Sequence, residues 1–159
     1  MSLWGRHNEL NAAFVNAANP DLSDLTGEYI VNIVIVPGYS IFSHRKVFYT
    51  DSGKVRGYNL LFNKTWGHFS VEEGPAIPRD SLSVAVINYN RPENFFVIRG
   101  IRDHIRCLKK AKLYIGRANY LLCGKPIFLG YFTLNKIVKE SPFIPLYEGG
   151  GNPLSYEEG

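Results

Sequence analysis

Two side chains in this 159-residue sequence are of types that could do acid–base chemistry on strand faces that otherwise read as apolar. His68 lies in Trp66-Gly67-His68-Phe69, and regular strand alternation puts Trp66 and His68 on one face. An imidazole among aromatic rings is suited to orient a ligand or to move a proton near neutral pH. Asp103 shares strand parity with Val97, Ile101, Ile105 and Cys107. A carboxylate on that face needs a partner, and it would serve as a polar anchor or a general acid/base. Tyr29, Tyr58, Trp66, Tyr114 and Tyr131 lie in the surrounding β-type runs. Pockets for small apolar ligands are lined in this way, by aromatic rings with a few converging polar groups. The expected ligand-binding set is therefore Tyr29, Tyr58, Trp66, His68, Asp103, Tyr114 and Tyr131, with His68 and Asp103 as candidate catalytic groups. Each also has a plainer role open to it: a backbone-bonded histidine, an Asp–Arg pair, or tyrosines packed in a core.

Other chemistries are poorly provided for. The sequence has no Gly-x-Gly-x-x-Gly, no Gly-Lys-Ser/Thr and no Gly-x-Ser-x-Gly. His7, His44, His68 and His104 lack the i, i+4 spacing of a helical metal site. No metal and no cofactor are expected, although separate strands are able to gather zinc ligands. Cys107 and Cys123 match neither a metal spacing nor a disulfide-dense scaffold. No apolar run reaches the roughly 18 residues of a membrane span. The first residues lack the charged start and apolar stretch of a signal peptide. Together these point to a cytoplasmic protein with two free thiols.

The net charge of +4 is unevenly placed. From Arg99 to Arg117 there are seven basic residues against Asp103 alone, which leaves the rest of the chain at −2. Such a segment suits a solvated strand face, and it also suits phosphates, with Tyr114 and Tyr120 as stacking platforms.

The elements that must position these residues follow from composition and punctuation. Aromatic residues make up 14% of the chain, with ten Tyr and ten Phe against one Met, and this favours strands. Leu10, Phe14 and Ala17 form one apolar stripe, so residues 7–18 read as a helix, stopped by Asn19-Pro20. β-type runs then follow at 28–36, 42–50, 55–62, 66–71, 82–89, 95–108, 113–122 and 126–137, most of them joined by short turns. A longer loop is expected at 72–80. Short connections imply antiparallel neighbours, and eight of them suggest a sheet closed on itself. The expectation is a mostly β protein: a single eight-stranded antiparallel up-and-down barrel with the N-terminal helix lying across one end. It divides into helix and connector (1–26), barrel (27–137) and a Pro/Gly-rich tail (138–159). Residues 103–112 also fit a basic amphipathic helix, which would turn the barrel into a curved sheet wrapped on helices. If 109–112 is instead a hairpin turn, partner numbers sum to about 221. Cys107 then faces Tyr114, and Cys123 lies too far along the ladder to bridge to it.

Leu25-Thr26-Gly27-Glu28-Tyr29, following a short helix and opening the first strand, resembles the Gly-x-Trp opening of lipocalins, with Tyr in place of Trp. In that family the aromatic sits at the closed end of the barrel under a basic residue from the last strand. Lys136, in Phe132-Thr133-Leu134-Asn135-Lys136, would take that place, where lipocalins prefer Arg. Asp103-His104-Ile105-Arg106 and Leu113-Tyr114-Ile115-Gly116-Arg117 also resemble lipocalin-like domains. Over residues 20–137 the chain is thus similar to the calycin superfamily, which implies a barrel with an internal ligand cavity.

Three functions follow in order of preference. The first is binding of a small, largely apolar molecule of fatty acid, isoprenoid or aromatic type. The second is a cofactor-independent barrel enzyme (isomerase, cyclase or decarboxylase) using His68 or Asp103. The third, least favoured, is nucleic-acid binding through residues 99–117. One aromatic-lined internal pocket containing at least one of His68 and Asp103 is expected. Gly57, Gly67, Gly100, Gly116 and Gly130 beside bulky rings motivate it.

Overall fold

The computed structural model describes residues 3–34, 44–77 and 82–138, with side chains from residue 7 onward. The aromatic and β-branched runs form eight strands: β1 (Gly27–Val34), β2 (His44–Asp51), β3 (Lys54–Leu61), β4 (Lys64–Pro75), β5 (Ser83–Asn88), β6 (Ile101–Lys109), β7 (Leu113–Leu122) and β8 (Lys125–Lys136). Each pairs with the next, and β8 returns to pair antiparallel with β1, from Tyr29↔Lys136 to Val34↔Tyr131. The result is the expected closed eight-stranded antiparallel barrel, preceded by a helix, α1 (Leu3–Asn16). The tail from 139 onward, the Pro37-Gly38 turn and the ends of the first two expected runs lie outside the described residues.

Three hairpins turn in two residues, each with both central residues at positive φ: Ser52-Gly53, Phe62-Asn63 and Cys123-Gly124. That conformation matches the right-handed strand twist. The ladder between β6 and β7 runs from Ile101↔Tyr120 to Cys107↔Tyr114, the pairing whose numbers sum to 221. Residues 101–109 are thus strand, not helix, and Cys107 and Cys123 are both free.

Several expected boundaries shift. β4 continues through Glu72–Pro75, where a loop was expected, because these residues pair with Ser83–Val86. β6 starts at Ile101 rather than Phe95. The Asn94 backbone N–H bonds the Arg91 carbonyl, and a 3₁₀ turn occupies Ile98–Gly100. Local bonds of this kind compete with the ladder. The helix also lies elsewhere than expected. Phe14 of α1 and Ala17 just past it pack with Ile115, Tyr131 and Val84 on the outer wall, not across one end. Arg106 and Arg117 hold this outer layer. Arg106 Nε donates to the Ala17 carbonyl at 2.9 Å and its Nη1 to the Ser83 carbonyl at 2.6 Å, while Arg117 Nη2 donates to the Ile77 carbonyl at 2.7 Å.

The end of the barrel where β1 begins is closed instead by a 3₁₀ turn, Leu22–Leu25, whose Leu25 is fully buried with Tyr29 and Tyr114 in the interior core. Asp21 caps this turn, accepting from the Ser23 N–H at 2.9 Å. Lys136 Nζ stands 5.7 Å from the centre of the Tyr29 ring, so the expected basic–aromatic pair across β1 and β8 is present. Further in, the Phe69 ring covers Gly57 and the Phe132 ring covers Gly116, where a Cβ would overlap them. An eight-stranded barrel has just enough room for such rings if the strand beneath them is bare.

Phe62 combines a positive φ of 48° with 86% exposure, so its ring makes no packing gain to offset the backbone cost. Phe62→Asn, which suits the left-handed region, is expected to raise stability by about 1 kcal/mol. A urea-denaturation midpoint that moves up with unchanged slope checks this.

Candidate functional site

Strand parity brings a group of polar side chains into the barrel. On β2, Lys46 shares the inward face with Phe48; on β3, Asn59 follows Val55 and Gly57; Tyr89 continues the face of Ala85 and Ile87 just past β5; on β6, Asp103 precedes Ile105. All four are at most 5% exposed. Lys46 Nζ donates to Asn59 Oδ1 at 2.8 Å and to Tyr89 Oη, and lies 3.4 Å from Asp103 Oδ2. Tyr89 Oη donates to Asp103 Oδ2 at 3.2 Å and accepts from Asn59 Nδ2 at 3.3 Å. The ammonium also faces the rings of Tyr89, Phe69 and Phe132 at 5.1, 5.4 and 5.8 Å. Its three protons thus have partners, as a buried cation requires.

The burial acts on every titrating member in the same sense, against charge. It lowers the Lys46 pKa, with the pull of Asp103 opposing. It raises the Asp103 pKa, with Lys46 and the Tyr89 hydroxyl opposing. It raises Tyr89 well above the ordinary tyrosine value, and Asp103 reinforces the effect. Ion pair and neutral pair are thereby brought closer in energy than in water.

Lys46, Tyr89 and Asp103 of this cluster form one wall of a cavity of about 210 Å³, whose other walls include Val31, Ile33, Trp66, Ile101, Ala118 and Phe132. His44 also lines it, and its ring lies 5.8 Å from that of Trp66. The Trp66 Nε1–H is buried and has no acceptor among the described residues. A group of three or more His, Cys, Asp or Glu placed to hold a metal is absent among the described residues. No described helix is long and apolar enough to cross a membrane.

No protein-family model matches the chain, and no curated protein and no solved structure matches it.

The residues singled out in the sequence separate into three places. Asp103 and Trp66 line the cavity. Tyr131 also borders it, but its hydroxyl donates to Asn11 Oδ1 at 3.0 Å, so its ring is turned to α1. Tyr29 and Tyr114 pack at the closed end, 5.8 Å apart, and both hydroxyls reach the Asp24 carbonyl. The Tyr58 and His68 rings lie 6.0 Å apart and tilted by 53° on the outer face. The expected alternation of Trp66 with His68 is broken by a bulge: Gly57 pairs with Phe69, but Asn59 pairs with Trp66. Gly67, at φ 58°, carries the extra residue. Asn94 secures it, accepting from the His68 N–H at 2.8 Å and donating to the His68 carbonyl at 2.6 Å.

The basic segment is largely engaged within the fold. Arg99 and Arg102 donate to nearby carbonyls, Arg106 and Arg117 are buried in their own, and Tyr114 is fully buried. Lys109, Lys110 and Lys112 are exposed around the β6–β7 turn.

Lys46, Asn59 and Tyr89 were not singled out from the sequence. Lys46 alternates with Phe48, but both faces of that run mix polar and apolar residues, so parity alone does not mark it. Removing one partner leaves the other charge buried alone, so Lys46→Met is expected to cost about 3–5 kcal/mol. Lys46→Met combined with Asp103→Leu should cost clearly less than the sum of the single changes, as a double-mutant cycle in urea will read.

Proposed function

We propose that this protein is a calycin-like binding barrel that takes one small, largely apolar molecule carrying a polar group. The observation that carries this reading is the junction of a mainly apolar cavity with the Lys46–Asp103–Tyr89 wall. Ligand sites have this composition: apolar walls and a few converging polar atoms. The buried Trp66 Nε1–H, without an acceptor among the described residues, supports it, since buried donors are normally satisfied and a ligand oxygen would supply the acceptor. Size narrows the class. A dry cavity of roughly 150 Å³ accepts benzene, so about 210 Å³ suits a compact aromatic or short isoprenoid better than a whole fatty acid.

The same wall favours a second reading, acid–base catalysis on the bound molecule, with Asp103 as proton carrier and Lys46 and Tyr89 setting its charge. His68 has no part in it, being on the outer face. Nucleic-acid binding through residues 99–117 draws less support, because four of its arginines are engaged with backbone carbonyls.

Native mass spectrometry of the purified protein, followed by titration with cinnamyl alcohol read by tryptophan fluorescence, tests the binding reading. A saturable change that disappears in Trp66→Phe is expected. Ala118→Phe, which fills the cavity from β7, is expected to weaken binding by about tenfold or more. Equal binding by Ala118→Phe would place the ligand elsewhere and overturn the proposal.

A further inference from the structure

We propose that Lys46 is a covalent attachment point for a small apolar aldehyde, held in the barrel cavity as a Schiff base. This rests on the binding reading above and adds the chemical class of the ligand, a carbonyl compound.

Placement carries the inference. Lys46 supplies the amine among the described lining residues of the cavity, and its side chain is only 4% exposed. The ionisable groups that line the cavity with it are Asp103, Tyr89, His44 and Tyr131, the last with its hydroxyl bonded to Asn11. Asp103 Oδ2, 3.4 Å from Nζ, is positioned to carry protons between the amine and the bound carbonyl. Three aromatic rings face Nζ within 5.8 Å, and they suit an iminium cation as well as an ammonium. An apolar aldehyde has the shape for the remaining walls, Val31, Ile33, Ala118 and Phe132. Burial, which lowers the lysine pKa and raises that of the aspartate, favours the amine and acid forms the chemistry needs.

The steps balance without a further reagent. The ammonium of Lys46 gives a proton to the Asp103 carboxylate. The free amine lone pair then forms the C–N bond while the carbonyl π pair moves to oxygen, which takes the proton from Asp103. One of the two protons on the now cationic nitrogen passes to Asp103, leaving a neutral carbinolamine. Asp103 protonates the hydroxyl, which departs as water with its bonding pair as the nitrogen lone pair closes the C=N bond. The product is an iminium cation beside the Asp103 carboxylate, the same charge pattern as before the reaction.

The test uses the full chain with cinnamaldehyde and sodium cyanoborohydride, which reduces an imine to a stable amine. Intact mass and peptide mapping then locate the adduct. Lys46 is expected to be labelled about tenfold or more faster than the exposed Lys54, Lys64 and Lys125, in line with proton-transfer assistance at a positioned amine. Labelling of those lysines with Lys46 spared overturns the proposal. Asp103→Asn is expected to slow labelling of Lys46 by about a hundredfold; an unchanged rate in folded variant also overturns it. The wild-type map decides the matter if that variant fails to fold. Cinnamyl alcohol separates this inference from the reading beneath it. Alcohol bound in the cavity with no Lys46 adduct defeats the covalent step alone, whereas neither ligand bound defeats both.

Discussion

The return of β8 onto β1 is the constraint to which the rest of the structure answers. Six paired positions, Tyr29↔Lys136 through Val34↔Tyr131, turn a meander into a barrel and leave no strand edge to pair with other chains. Closing eight strands fixes the inside diameter, and the interior must then be filled to that size. Where a large ring lies within, the strand opposite or beside it gives up its own side chain, as at Gly57 under Phe69 and Gly116 under Phe132. At the closed end the filling is Leu25 with the Tyr29 and Tyr114 rings. Toward the other end the described side chains leave the cavity between them.

Closure also explains why the polar cluster is so tightly linked. A lysine and an aspartate inside a barrel cannot turn to solvent, so each of their polar atoms must find a partner across the lumen. They come from β2 and β6, strands distant around the wall, joined by Asn59 and Tyr89. The arrangement ties opposite sides of the barrel together. Such a pair contributes little net stability over an apolar replacement of the same volume. Its many bonds are therefore a requirement of its own burial more than a source of folding stability.

Much of the barrel was legible because it rests on local signals. Alternation, turn residues and short connections identified the strands, and one hairpin sum placed Cys107 opposite Tyr114. Asp103 was legible because a lone carboxylate interrupts an apolar face. Lys46 and Asn59 belong to strands whose faces are mixed, and lysine is ordinarily read as solvent-side. His68 was misassigned to the Trp66 face because one extra residue at Gly67 reverses parity, and alternation cannot register an insertion held in place by Asn94, far along the chain. The position of α1 depends on similarly remote partners. It is set by Phe14 packing on Ile115 and Tyr131, by Arg117 over the Phe14 ring and by Arg106 at the Ala17 carbonyl just past the helix, arginines that composition alone assigned to a solvated face.

Those arginines have a consequence for which positions tolerate change. Arg106 and Arg117 grip carbonyl oxygens at Ala17, Ser83 and Ile77, atoms that every residue type carries. The clamp recognises the path of the main chain and is indifferent to the side chains along it. Variation in the gripped segments is therefore nearly silent as far as the clamp is concerned, while the two arginines bear the whole burden of specification. The clamp thus depends on two side chains and on none in the segments it grips, whereas the apolar contacts of Phe14 beside it depend on side chains on both surfaces.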